Sequence, residues 1–98
     1  MLIRIVDMEF KPENRETFLA VFEEAKSKIS AFAGCLHVEL LEDLSNPNRM
    51  LTYSHWESSD ALENYRSSEL FSATWAQTKI LFSRKPSAHS FDRKFSSI

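Results

Sequence analysis

Few side chains in this 98-residue chain can act on a small molecule, and most of them fall within Thr52–Trp75, TYSHWESSDALENYRSSELFSATW. The first five residues alternate as a strand does, with Thr52, Ser54 and Trp56 on one face and Tyr53 and His55 on the other. Ser58 and Ser59 are both good helix N-caps, and Asp60 puts a carboxylate in the first turn, where the helix dipole favours it. Ala61, Leu62 and Tyr65 make a short helical stripe, and Ser67 or Ser68 opens a second helix through Phe71 and Trp75. An indole held where a sheet ends and two helices begin suits the wall of a pocket. It suits a plain core equally well.

As a pocket, Trp56, Tyr65 and Trp75 supply aromatic walls, Val38 of the neighbouring strand faces the same way, and Thr52 or Ser54 offers a polar anchor. Arg66, beside Tyr65, can steady an anionic oxygen, although an ordinary solvated arginine accounts for it too. A dry aromatic cavity favours oxygenation of a phenol or hydroquinone, which must first become its more oxidisable anion. The missing part is a base. His37 and His55 are nearest in sequence, but alternation sends both to the opposite face.

The two histidines form a second constellation. With a hairpin turn centred near residue 46 they oppose one another, and paired positions have Cβ atoms about 4.5–5.5 Å apart. With Glu39 or Cys35 on the same stripe they could ligate a divalent ion. No CxxC or HxxxH spacing supports this, so the histidines read better as hydrogen-bonded interface residues and no metal is assigned. Cys35 has no evident cationic neighbour and reads as a small buried apolar residue.

The elements that position these groups follow from periodicity. Leu2–Phe10 reads as a strand with stripes Leu2, Arg4, Val6, Met8, Phe10 and Ile3, Ile5, Asp7, Glu9. Pro12 suits a first helical turn, and Phe18, Phe22, Ala25, Ile29 and Phe32 form one apolar helix face that Gly34 terminates. Cys35–Glu42 reads as a strand with Leu36, Val38 and Leu40 facing one way and Cys35, His37 and Glu39 the other. Asp43–Asn48 is a dense turn signal before a third strand, Arg49–Trp56, so these two strands form an antiparallel hairpin. The helical region Ser59–Phe82 breaks near Ser67-Ser68, Pro86 stops it, and Ala88–Phe95 alternates as a last strand. The order β-α-β-β-α-β, with the second helix doubled, predicts an α+β fold of the ferredoxin-like split βαβ kind, in one domain over residues 1–98.

Composition narrows the partners. Net charge is −2 and pI about 5.9, which offers no basic face to nucleic acid or an anionic membrane. No apolar run reaches the roughly 18 residues of a membrane span, and MLIRIVDMEF does not read as a leader. A single cysteine fits a reducing, cytoplasmic setting. The sheet face bearing Cys35, His37, Tyr53, His55, Leu51 and some of His89, Phe91 and Phe95 is too aromatic to leave in water, and it predicts a homodimer packed sheet to sheet.

Gly34-Cys35 opening the second strand, Trp56-Glu57-Ser58 closing the third, and Ala61-Leu62 followed by Ser68 and Phe71 resemble the antibiotic biosynthesis monooxygenase domain family. The likeness runs through essentially the whole chain in element order. It implies a dimeric α/β barrel with a pocket in each subunit between sheet and helices. It also implies cofactor-independent oxygenation of a small aromatic or quinol-like molecule, or a non-catalytic domain that keeps the barrel and binds a small ligand. Family signatures fall on Trp56 (the indole), Trp75 (the axial histidine of haem-degrading members) and Val6 (their first-strand asparagine). Trp75 cannot ligate iron and Val6 offers no polar atom, which argues against haem degradation. Histidines of quinol-oxidising members fall on Tyr65 and Leu70, and an asparagine of polyketide oxygenases falls on Thr52. The resemblance therefore carries over no catalytic set.

Overall fold

The computed structural model describes residues 1–98. The elements are β1 (Leu2–Glu9), α1 (Arg15–Ser30, entered through a 3-10 turn at Pro12–Asn14), β2 (Cys35–Asp43), β3 (Asn46–Trp56), α2 (Ser59–Arg66), α3 (Glu69–Thr78, left through a 3-10 turn at Lys79–Leu81) and β4 (Ser87–Asp92). The strands form one antiparallel sheet in the order β2-β3-β1-β4. This is the ferredoxin-like α+β arrangement. Within one chain the sheet is open and does not close on itself.

The apolar stripe of α1 explains its seat. Phe18, Ala25 and Ile29 are buried against the sheet while Glu23, Glu24, Lys26 and Lys28 stay wet. Phe10 stacks on Phe18 with centroids 4.2 Å apart and on Phe82 at 5.3 Å, and Met8, Met50 and Leu81 complete this end of the core. Ser58 caps α2 by accepting from the Ala61 N–H at 3.1 Å, and Ser68 caps α3 by accepting from Phe71 at the same distance. Of the paired serine candidates, these are the two that cap. Gly34 sits just beyond α1 at φ +87°, and a Cβ there would lie 2.5 Å from the Ala61 Cβ. The close approach of the β2 entrance to α2 therefore depends on glycine.

Several details differ from the periodicity reading. The hairpin turns at Leu44-Ser45, with Asp43 paired to Asn46, so β3 begins earlier than Arg49. The Asp43 side chain accepts from the Ser45 N–H at 2.8 Å, which tightens the turn. Asn46-Pro47-Asn48 is consequently extended, and the Asn48 carbonyl accepts from Phe10 N–H at 2.9 Å. The last strand stops at Asp92 rather than Phe95, because Leu2↔Asp92 is the final rung that β1 supplies. Phe95 is 80% exposed. Phe10 and Phe32 likewise lie just outside the elements assigned to them.

One further difference bears on the site. A bulge between Cys35 and His37 pairs Cys35 with Trp56 and His37 with His55. The extra residue, Leu36, is half-exposed, whereas Cys35 shares the helix-covered side with Trp56. The alternation expected for Cys35 and Leu36 is thus reversed, and it resumes from His37 onward. On the uncovered face, rows run His37–His55–Ile3–Phe91 and Glu39–Tyr53–Ile5–His89 across the sheet.

Candidate functional site

A cavity of about 370 Å³ lies between the covered face of the sheet and the helices. Strand alternation supplies one wall: Arg4, Val6 and Met8 from β1, Val38 from β2, and Thr52, Ser54 and Trp56 from β3. The helices supply the other, chiefly Phe22 and Ile29 of α1, Tyr65 and Arg66 at the end of α2, and Phe71, Thr74 and Trp75 of α3. Val38, Thr52, Ser54, Trp56, Tyr65, Arg66 and Trp75, the residues singled out from sequence, all line this one space.

The aromatic wall is a connected train. Trp56 stacks on Tyr65 with centroids 4.9 Å apart and planes 26° apart. Tyr65 meets Phe71 edge-on at 5.3 Å, and Phe71 stacks with Trp75 at 5.9 Å and 9°. Trp56 is 1% exposed, so it is both core and cavity wall. Its indole N–H donates to the Ser54 hydroxyl at 3.0 Å, and that hydroxyl in turn donates to the Arg4 carbonyl at 3.5 Å. Ser54 therefore orients the indole, while Thr52 on the same stripe makes no side-chain hydrogen bond and remains the free hydroxyl of the sheet wall. At the helix wall, Thr78 donates to the Thr74 carbonyl at 2.8 Å.

Ionisation in the cavity is one-sided. Burial, and secondarily the nearby Cys35, push the Tyr65 phenol up to about 12, so near neutral pH it is a hydrogen-bond donor and no base. Burial lowers the Arg4 pKa, Arg66 lowers it further, and Glu63 partly opposes both. The Arg4 guanidinium donates to the Ser90 hydroxyl at 3.0 Å. Arg66 stands at the rim, 3.4 Å from Glu63 one turn earlier on α2. No Asp, Glu, Lys or His lines the cavity.

Sequence reasoning passed over Arg4. The signal was present: an arginine between Leu2 and Val6 on a stripe that is otherwise apolar must either snorkel or face something polar.

The histidines lie outside the cavity, as their strand parity required. Their rings are 5.4 Å apart, and His37 Nε2 is 2.7 Å from a Glu39 carboxylate oxygen. His55 contacts the Arg93 guanidinium at 3.3 Å and packs edge-on against Tyr53 at 5.0 Å. Its pKa is lowered by burial, then by Arg93 and His37, against a smaller opposing effect of Glu39. No group of three or more His, Cys, Asp or Glu side chains comes together as a metal site. Cys35, the third ligand considered, is carried to the other face by the bulge, and burial raises its thiol pKa. That removes both its ligand and its nucleophile roles.

A protein-family model described as antibiotic biosynthesis monooxygenase matches residues 1–77. No curated protein matches the sequence. Solved structures agree in fold at low identity. One, named antibiotic biosynthesis monooxygenase, superposes with a TM-score of 0.90 at 22% identity over 95% of this chain and 98% of its own. Rv0793 from Mycobacterium tuberculosis gives 0.90 at 18% identity over 99% and 98%, and a conserved protein from Methanosarcina mazei Go1 gives 0.90 at 18% over 96% and 94%. The matched segment runs from β1 through the part of α3 that carries Trp75, so it includes every element of the cavity wall except β4, and the chain belongs to the antibiotic biosynthesis monooxygenase family.

Proposed function

We propose that the protein is a small cofactor-independent monooxygenase acting on an aromatic or quinol-like molecule held against Trp56. The observation that carries this reading is the cavity itself: about 370 Å³ walled by Trp56, Tyr65, Phe71 and Trp75 in a domain small enough to have filled it. Trp56, Trp75 and Val38 would pack on the substrate rings, Thr52 and the Tyr65 phenol would donate to its oxygens, and Arg66 would face the developing anion. Ser54 acts by holding the indole. With no base on the walls, the substrate proton would leave to water at the rim. The carbanion or phenolate would then give an electron to dioxygen and combine with the superoxide so formed. The peroxide anion so formed takes a proton back from water, and loss of water from the hydroperoxide leaves one oxygen atom in the product as a carbonyl and puts the other in water. Oxygen uptake with anthrone-like and menadiol-like substrates tests this, and inertness toward both, with no binding to the cavity, would overturn it.

The absent base specifically favours a second reading, a domain of one unit over residues 1–98 that binds a small aromatic ligand without turning it over. Stoichiometric binding without oxygen uptake would decide for it. In either case we take the working unit to be a cytoplasmic homodimer packed sheet to sheet, completing a barrel. Leu36 and Phe91 are each 50% exposed and Leu41 43%, around the rows that hold Tyr53, His55 and Ile5. No helix is long and apolar enough to cross a membrane. Tyr53→Glu should convert a sedimenting dimer to a folded monomer; a wild type that sediments as a monomer at micromolar concentration would refute the assembly.

A further inference from the structure

The arginines of this chain are not alike. Arg15 pairs with Glu16 and Glu42, Arg49 with Asp7 and Asp43, and Arg84 with Asp7 and Glu9. Arg4 has no carboxylate in salt-bridge range; its only side-chain partner is the neutral hydroxyl of Ser90. A guanidinium carries five N–H donors in a planar fork, so most of those on Arg4 are uncommitted. The side chain also lines the cavity, where Arg66 is the second cation; Glu63 sits 3.4 Å from Arg66 at the rim, but no acidic residue is among the lining side chains. A half-buried cation with no carboxylate in salt-bridge range, only a more distant Glu63, and another cation beside it is costly to keep in an aromatic space. An anionic ligand offsets that cost.

We infer that the occupant of the cavity is a planar aromatic molecule bearing an oxyanion, either a carboxylate or an ionised enol, placed between Arg4 and Arg66 while its rings lie along Trp56 and Trp75. This rests on the reading above that the cavity is the substrate site, and it makes that reading more specific. The volume of about 370 Å³ is near the lower end of the roughly 300–1,000 Å³ typical of ligand pockets, which suits a few fused rings. An oxyanion there also addresses the absent base. A substrate that arrives ionised, or whose hydroxyl is acidified by two adjacent guanidinium groups, has little need of a protein base.

The test compares matched pairs by calorimetry: 1-hydroxy-2-naphthoate against 1-naphthol, and 2-hydroxy-1,4-naphthoquinone, ionised at neutral pH, against 1,4-naphthoquinone. At least one anion should bind about tenfold or more tighter than its neutral partner at low salt, with the gap narrowing as ionic strength rises. Which anion shows the preference distinguishes carboxylate from enolate. Arg4→Gln and Arg66→Gln should each shrink the preference, Arg4→Lys should keep part of it, and Lys26→Gln, which removes a charge from the wet side of α1, should leave it intact. Near-ultraviolet circular dichroism confirms that each variant is folded. Equal binding of charged and neutral members refutes the oxyanion inference while sparing the cavity as a binding site. Failure of all four probes to bind refutes both.

Discussion

The hydrogen bond between Trp56 and Ser54 makes the wall of the cavity testable in energy. Trp56→Ala removes a side chain that is 1% exposed, and truncating a buried large aromatic costs about 3–5 kcal/mol. The low end applies here, because one surface of the indole already borders a void of about 370 Å³ and makes fewer contacts to lose. Trp56→Phe is more informative. It keeps a ring against Tyr65 but leaves the Ser54 hydroxyl, 7% exposed, without its donor at 3.0 Å. A neutral hydrogen bond contributes about 0.5–1.5 kcal/mol net. A cycle of Trp56→Phe, Ser54→Ala and the double variant should therefore give a coupling near 1 kcal/mol. Urea unfolding at fixed protein concentration, read through far-ultraviolet circular dichroism, measures it, with equal m-values as the check on two-state behaviour. A coupling indistinguishable from zero would mean that Ser54 does not hold the indole, and Ser54 would return to the set of ligand-facing hydroxyls.

Three further outcomes are expected. Gly34→Ala should destabilise by more than about 1 kcal/mol in the same unfolding assay, since φ is +87° and the new Cβ meets Ala61 at 2.5 Å; an unchanged midpoint would contradict the close approach. Ultraviolet titration should show one tyrosine ionising only near pH 12, and Tyr65→Phe should abolish that late step. Because the Tyr65 pKa is raised in the folded state, its contribution is whole below pH 10, the unfolded value, and is lost as pH climbs from there toward 12. His55 has the opposite sense. Its lowered pKa makes stability whole above the unfolded value of 6.5 and declining below it, as the unfolded chain takes up the proton first. Arg93, His37, Glu39 and Tyr53 surround that ring, and His55→Gln should flatten the acid limb of the stability profile.

The order of elements was legible because strong local signals agreed with the global fold. The stripe of α1, the alternation from Thr52 to Trp56 and the serine caps each have a mechanism that works within a few residues. The bulge at Leu36 was not legible for the same reason. Leu36, Val38 and Leu40 make an apolar alternation, and nothing local says that the ladder skips one residue between Cys35 and His37. Only the tertiary pairing with Trp56 decides it. The turn was misplaced because Asn46-Pro47-Asn48 has stronger turn composition than Leu44-Ser45, yet the Asp43 carboxylate closes the chain sooner. In the site, residue types and parity gathered the walls correctly. Parity could not show that the Ser54 hydroxyl is already occupied or that Arg4, alone among the cavity residues of β1, brings a charge inward.

Strand β3 ties the two faces of the sheet together. Thr52, Ser54 and Trp56 look into the cavity, while Tyr53 and His55, interleaved with them, look out on the uncovered face. Neighbouring residues of one strand share a backbone, so whatever orders Tyr53 and His55 also orders the wall between them. A second subunit seated on the outer rows would stiffen the frame that sets the spacing of Trp56 from Tyr65 and Trp75. A ligand wedged between those rings would hold the same strand from inside. Two events that each restrict β3 are coupled in free energy, and the coupling is reciprocal. Assembly and ligand affinity should accordingly rise and fall together. A Tyr53→Glu monomer should bind aromatic ligands more weakly although no cavity residue has changed, and an unaltered affinity in a folded monomer would show the two faces of β3 to be independent.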